Sequence, residues 1–466
     1  DNRYRDTRPH LQQGQSMISA AKIRDVVSGR VVQYLAAVIL LILAPVGIGS
    51  QEVVIGGETD VRSGVQGDLL RWDGVTPFIS ATLSPILSVY GDALELRSQF
   101  TVETELSTRD LAASADELKL TFYPSDAIVV HVGLFTPKAG AALLLSPVNY
   151  LAGLDPGGLN GSSPTLDDPV GVIAMTFFSG DFYLEGSAAP VPARPSLLEG
   201  WSVPADLPFL ETVTDTAIPG VPLTRAGVEL VDPIRAPELA RLSGQLEAGW
   251  AGMRSDLSLF AYHGLDRIPT VTGLIDTNVG GGEFLLQLRQ EEAAITALGC
   301  SIQSVLGPVM LWGDGSFVFG RSFGTTSVDP VAVGAGVWST EVATAPAIDL
   351  VAGGALQLYD LWTTLAVEYR HGFVMSDRSD LVRLDLPGTL LARIDIDLLE
   401  GALTVGTTGV ALLPDRSGLL VLSAAYVPTS ELTVGVQAPL VITGSDALLE
   451  PFRSYSSLAA FVTVRF

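Results

Sequence analysis

The chain is short of the residues from which most cofactor and disulfide sites are built. It holds one cysteine, Cys300, among 466 residues. That excludes an intramolecular disulfide framework and any zinc or iron–sulfur site needing several thiolates. Lysine is almost absent: Lys22, Lys119 and Lys138 are the whole set, so positive charge is nearly all arginine. Charged residues make up 17% of the chain and aromatics 7%, while mean hydropathy is +0.39. A chain this apolar is not intrinsically disordered. The charge it carries is lopsided, with 27 basic against 51 acidic side chains and a formal net of −24. Such a surface repels phosphate backbones, so nucleic acid is excluded as a general partner. No GxGxxG, Walker loop or HExxH occurs, and no cofactor is implied.

Long apolar runs are also missing, with one exception. Between Arg30 and Glu52 lies an uncharged stretch centred on 35–44. It is preceded by Lys22, Arg24 and Arg30 and followed by Gly47, Gly49 and Ser50. That order is the signature of a secretory signal peptide, with cleavage expected near residues 49–50. Pro45 and the glycines leave the apolar core shorter than the roughly 20 residues a membrane-spanning helix needs. Residues 1–16 are polar and are set aside with it, so 1–50 reads as a polar extension plus export signal and 51–466 as one domain. Residues 51–466 hold 21 basic and 48 acidic side chains, a net of −27.

What is present after residue 51 is period-2 alternation. In Leu94–Leu106, Leu94, Leu96, Phe100, Val102 and Leu106 fall on one face; Glu95, Arg97, Gln99, Thr101, Glu103 and Glu105 fall on the other. This spacing belongs to a strand and scatters around a helix. The pattern returns at 118–122, 128–134 and 242–250. Further on, Leu365, Val367 and Tyr369 oppose Glu368 and Arg370; Ile394, Ile396 and Leu398 oppose Arg393, Asp395 and Asp397; and 432–442 alternates again. Turn residues separate the segments, as in Ser179-Gly180-Asp181 and Gly444-Ser445-Asp446. Two stretches break the rhythm, 139–169 and 190–237, both rich in proline or glycine. Loops of such length are usually functional or disordered. Here they are expected as external loops or as segments folded inward. Val170–Phe178 is apolar on both faces, which a plugged or narrow, partly apolar lumen would explain.

The chain ends LAAFVTVRF, with Val464, Val462, Ala460 and Leu458 at every second position before Phe466. A terminal aromatic preceded by alternating apolar residues resembles the last strand of bacterial outer-membrane β-barrel proteins of the porin-like kind. The resemblance implies an all-β fold: a transmembrane antiparallel up-and-down barrel, of about 16–18 strands, with a signal peptide before it. It implies residence in the outer membrane, contact with its lipid, and recognition of Phe466, Val464 and Val462 by the barrel-assembly machinery. Physics agrees, because strands cross hydrocarbon only when closed into a barrel, apolar side chains outward and polar ones inward.

On that reading the protein passes small solutes, and no enzymatic activity is expected. Glu95, Arg97, Glu103, Glu105, Glu368, Arg370, Arg393, Asp395 and Asp397 become pore-lining candidates, their acidic excess favouring cations. The same pattern also serves a solvated inner face of paired charges. A surface adhesin or structural barrel is the alternative, an outer-membrane hydrolase a more distant one, and a secreted soluble β-protein a fourth. For the hydrolase the residues are Gly320-Arg321-Ser322-Phe323-Gly324, with His131 or His263; a nucleophile elbow, however, requires a helix after the serine, and 325–330 offers none. Asp155, Asn160, Asp167 and Asp168 supply hard oxygen atoms for a metal, yet Asp beside Pro and Gly is ordinary turn chemistry. Solute identity and oligomeric state stay open.

Overall fold

In the computed structural model, residues 52–466 are described apart from 106–109, 145, 155–166, 192–223, 231–240, 269, 277–282, 333–336, 359–361, 383–387, 414–415, 444–452 and 455. The expected polar extension and export signal, 1–50, lie outside the described residues, as do most of the second long stretch and 155–166 of the first. The compact unit described below comprises Val53–Val89 and Ala93–Phe466.

Eighteen strands follow one another around a single ring. They are β1 (Glu52–Asp68), β2 (Asp73–Tyr90), β3 (Leu94–Glu105), β4 (Asp110–Ser125), β5 (Ile128–Phe135) and β6 (Val170–Ser179). Next come β7 (Phe182–Val191), β8 (Ser243–Ala251), β9 (Ser255–Leu265), β10 (Ala294–Leu306), β11 (Val309–Ala332) and β12 (Val337–Leu358). The ring is completed by β13 (Thr363–Val374), β14 (Gly388–Leu398), β15 (Leu403–Leu412), β16 (Ser417–Thr429), β17 (Leu432–Ile442) and β18 (Ser457–Arg465). Each strand pairs with its neighbour in sequence, and β18 pairs antiparallel with β1 from Glu58↔Arg465 to Gln66↔Ser457. Phe466 extends that seam by exchanging both backbone hydrogen bonds with Gly57, at 2.9 and 3.0 Å. The ring of eighteen strands therefore has no edge, as a backbone immersed in hydrocarbon requires.

The connections sort by length. Turns after even-numbered strands are all short, such as 126–127, 180–181 and 307–308, whereas every long connection follows an odd-numbered strand (136–169, 192–242, 266–293, 375–387, 443–456). Barrels of the outer membrane show this asymmetry, with short turns on the periplasmic side. At the long-loop end β11 and β12 run to 24 and 22 residues, beyond the 9–11 that a tilted span uses. There Thr270–Asp276 pairs with the end of β12 and with Glu283–Glu291, which pairs parallel with Thr224–Leu230.

Register decides which way each side chain points, because lateral partners share a face. One rank runs Leu96–Leu120–Val132–Ile173–Ala188–Gly244–His263–Thr296–Phe319 across β3 to β11. Residues at even spacing from its members on the same strands include the exposed Met175, Leu246, Leu259, Leu298 and Ile302, so this is the outer face. The rank beside it runs Glu95–Thr121–His131–Ala174–Ser187–Gln245–Tyr262–Ala297–Val318–Ala347–Val374, which is the inner face. An outer wall of exposed Leu, Ile, Val and Phe is costly in water and stable in lipid.

The few aromatics are concentrated where they matter. Phe122, Phe177, Phe182, Trp250, Trp362, Tyr426 and Phe466 are all exposed close to the short-turn end, and Tyr369, His371 and Phe373 pack ring against tilted ring along the outer face of β13. Interfacial girdles are the usual place for such rings.

Candidate functional site

The inner wall is not uniform. After β5 the chain turns into the barrel, and residues 136–144 and 146–152 pack against the inside of the wall. Ala139, Leu144, Val148, Asn149, Tyr150, Leu151 and Ala152 are all buried. Their partners span much of the circumference: Val148 and Ala139 meet Phe260 of β9, Tyr150 joins Tyr262, Val318 and Ala347, and Leu144 reaches Leu391, Val410, Leu419, Val421 and Val441 on β14–β17. This accounts for the doubly apolar Val170–Phe178. Val170, Val172 and Ala174 point inward into the packed core, while Ile173, Met175 and Phe177 point outward.

Two buried carboxylates hold the segment's backbone. Asp314 of β11 accepts hydrogen bonds from the N–H groups of Ala141 and Ala142, each at 3.0 Å, and from Ser146 Oγ at 2.8 Å. Glu368 of β13 accepts from Leu143 N–H at 2.6 Å, Leu144 N–H at 3.2 Å and Trp312 Nε1 at 2.8 Å. A buried carboxylate without donors is strongly unfavourable, and loop N–H groups without acceptors are too; each here satisfies the other. The approach is close enough to specify glycine. Gly140 has φ +80°, and a Cβ there would sit 2.2 Å from Ser146 Oγ and 2.5 Å from Asp314 Oδ2. A Cβ at Gly299 of β10 would come within 2.7 Å of Val148.

Beyond the carboxylates lies a buried ionic group near the long-loop end. Arg321 donates from Nε to Asp266 at 2.8 Å and from Nη1 to Asp349 at 2.8 Å, and Arg370 Nη2 lies 3.8 Å from the same Asp349. Arg267 donates to Asn149 O at 2.7 Å and to Asp167 at 2.6 Å. Tyr150 bonds Ser316 Oγ at 2.7 Å and stacks on Tyr262 at a centroid distance of 5.0 Å. Burial pushes the Asp266 carboxyl upward while Arg321 pulls it down; burial also drives the Tyr150 phenol far above its usual value, so it stays protonated.

By register, all nine residues singled out from the sequence lie on the inner face, in two different settings. Glu368 and Arg370 are 3% and 6% exposed, beneath the in-folded segment. The other seven are in more open positions. Arg97 pairs with Glu117 at 3.0 Å and Tyr123 Oη donates to Glu95 at 3.2 Å. Arg393 pairs with Asp395 at 2.5 Å, and Asp397 accepts from Thr404 Oγ1 at 2.8 Å. Glu103 and Glu105 continue the Glu95 face toward the long-loop end of β3. Val462 and Val464 are exposed on the outer face of β18, beside Phe466.

Other inner-face residues were not singled out from sequence: Asp60, Arg62, Glu117, Lys119, Glu185, Glu247, Asp314, Arg321 and Asp349. Asp116 joins them at the β4 bulge, where it accepts from Thr101 and Ser114. A signal existed for two of them. Asp314 stands between glycines in WGDGS, and Asp349 is the lone acid of an apolar run, and an isolated acid in an apolar strand requires a partner.

The Gly320–Gly324 pattern is no elbow. Gly320 (φ +69°) kinks β11 at a two-residue bulge, after which the strand continues through Ser322. His131 and His263 are hydrogen-bonded instead to Thr121 and Thr296. Of the proposed metal-binding residues, Asp167 is held by Arg267 and Asn149; no group of three or more His, Cys, Asp or Glu fit to hold a metal occurs among the described residues.

No protein-family model and no curated protein matches the chain. Solved structures with similar arrangements include OccAB1 of Acinetobacter baumannii, at 8% identity over 90% of this chain and 97% of that one, with a TM-score of 0.46. DcaP, an outer-membrane channel of the same organism, gives 13% identity, 90% and 98% coverage and 0.39. OmpF of Salmonella typhi, solved with daunomycin, gives 9%, 89% and 97%, and 0.40. At these values the case rests on the chain's own geometry. A closed ring with an even number of strands, an apolar exposed exterior, inward charges and long loops at one end make it a β-barrel of the outer-membrane type.

Proposed function

We propose that the protein is an outer-membrane channel for small solutes, in which residues 136–152 narrow the lumen from one side. The observation that carries this is the division of the inner wall. The in-folded segment is fastened against β9–β17, while the inward side chains of β1–β5 keep charge and partial exposure. Barrels of 16–18 strands enclose enough width for an aqueous path beside such a segment.

The path would run past Glu95, Arg97, Glu103, Glu105 and Glu117 on one side and Arg393, Asp395 and Asp397 on the other. Carboxylates outnumber guanidiniums in this set, which favours small cations by raising their local concentration. Glu368 acts as a positioning residue for the constriction, and Arg370 is placed behind it. Phe466, Val464 and Val462 would present the strand that the assembly machinery reads, and 1–50 the export signal.

Planar-bilayer recording of refolded 51–466, with reversal potentials under a KCl gradient, tests the proposal. Stable steps with a cation-selective reversal potential are expected. Stable insertion without conductance overturns it and favours an adhesin or structural barrel.

A further inference from the structure

Two carboxylates of the inner wall face each other with no cation between them. Glu185 of β7 and Glu247 of β8 are register partners on the inner face. Lateral partners have Cβ atoms about 5 Å apart, and like charges so placed repel. Among the described residues neither forms an ion pair, and their side-chain donors are all hydroxyls. Thr176 and Ser187 donate to Glu185, each at 2.8 Å, and Tyr183 Oη donates to Glu247 at 2.5 Å. His131, two strands away on the same face, bonds Thr121 instead. The two carboxylates do not bond each other, as a shared proton would require. Glu247 is 9% exposed, so its charge carries a burial cost that hydroxyls alone do not offset.

Gln245 adds an independent observation. It is 8% exposed, two residues before Glu247 on the same face, and its lateral partner is Ser187, the donor to Glu185. Its Oε1 has no hydrogen-bond partner among the described residues. A buried acceptor left idle is unfavourable. Water could donate to that oxygen, but it would leave two negative charges side by side. A cation satisfies the amide oxygen and both carboxylates together.

We infer that Glu185, Glu247 and Gln245 form a binding site for one divalent cation of the calcium class. Every ligand atom is a hard oxygen, from two carboxylates and an amide, and lumen water completes the shell. Calcium accepts about 6–8 such oxygens in variable geometry, whereas magnesium demands a tighter octahedron. The other lateral partner of Glu247 is Phe260, which packs on Ala139 and Val148 of the in-folded segment. A bound ion therefore stands at the edge of that segment, and on the channel reading it cancels two charges that attract cations there.

Crystals of the detergent-purified protein soaked in terbium chloride, terbium standing in for calcium, are expected to show an anomalous peak between Glu185 and Glu247. No peak there overturns the inference, and this reading needs no variant to fold. Calorimetric titration with calcium chloride at constant ionic strength is expected to find a site that Glu247→Gln weakens about tenfold or more. Gln245→Leu, which keeps both charges, is expected to weaken it as well; calcium affinity unchanged in that variant means general charge attraction and overturns the site. The inference does not depend on transport: a terbium peak in a barrel that fails to conduct would refute the channel and leave the cation site standing.

Discussion

The inner faces of β1–β5 and of β9–β17 are built by the same alternation and come out differently. On β3 and β4 the inward positions include Glu95, Arg97, Gln99, Thr101, Glu117 and Lys119, all at least partly exposed, with Arg97 ion-paired to Glu117. On β10–β17 they include Ala297, Val318, Ala347, Val351, Leu391, Val410 and Val421, all buried. The outer faces of both regions are largely apolar and carry exposed Leu, Ile, Val and Phe side chains, because lipid surrounds both. What differs is the inner neighbour: water on one side, residues 136–152 on the other. A strand with two apolar faces in a barrel therefore marks where protein fills the lumen, and a lone acid within it marks where that protein is fastened.

The comparison is broken most severely by disturbing the covered wall. Arg321→Met leaves Asp266 and Asp349 buried without their shared cation and is expected to destabilise the barrel by about 3–5 kcal/mol. Loss of the compact, heat-modifiable band at lower temperature in SDS gels reads this out. Next comes the property the two regions share. Val436 is exposed on the outer face of β17, and Val436→Arg is expected to cost about 2–4 kcal/mol at a mid-membrane position, measured by reversible unfolding in lipid. An arginine at Glu95 on the inner face of β3 should be tolerated in the same assay.

Releasing the in-folded segment without dismantling the wall sharpens the contrast. Asp314→Asn keeps the shape but removes the charge to which Ala141, Ala142 and Ser146 donate, an expected loss of about 1–3 kcal/mol. The segment should then detach more often, giving larger and noisier conductance steps; unchanged single-channel traces would show that Asp314 does not set the constriction. Gly140→Ala should act in the same direction through the steric clash. The smallest effect belongs to the open wall. Glu117→Gln, which unpairs Arg97, is expected to alter stability by no more than about 1 kcal/mol while shifting the reversal potential toward anions.

Much of the barrel was legible in the sequence. The alternation at 94–105, 365–370 and 394–398 placed strands and faces where the register puts them, because a period of two leaves no freedom once one face must meet lipid. The final run to Phe466 lies on β18, at the seam with β1. The stretch 139–169 announced itself as a segment folded inward or outward, and the sequence did not choose between them. Nor did it separate Glu368 and Arg370 from Glu95 and Arg97, since all four read as charges on a strand face. That choice depends on Asp314, some 170 residues downstream of the backbone it holds, and no local pattern encodes such a distance.

The amino-acid sequence by itself determined the secondary structure, the two faces of each strand, the excess of acid and the need for closure, all consequences of periodicity and of the energy of unpaired backbone in lipid. The tertiary structure alone decided which inward faces meet water and which meet protein. Folding 136–152 against one wall buries apolar side chains from many strands at once and matches its free N–H groups to two distant carboxylates, and only the assembled ring brings those partners together.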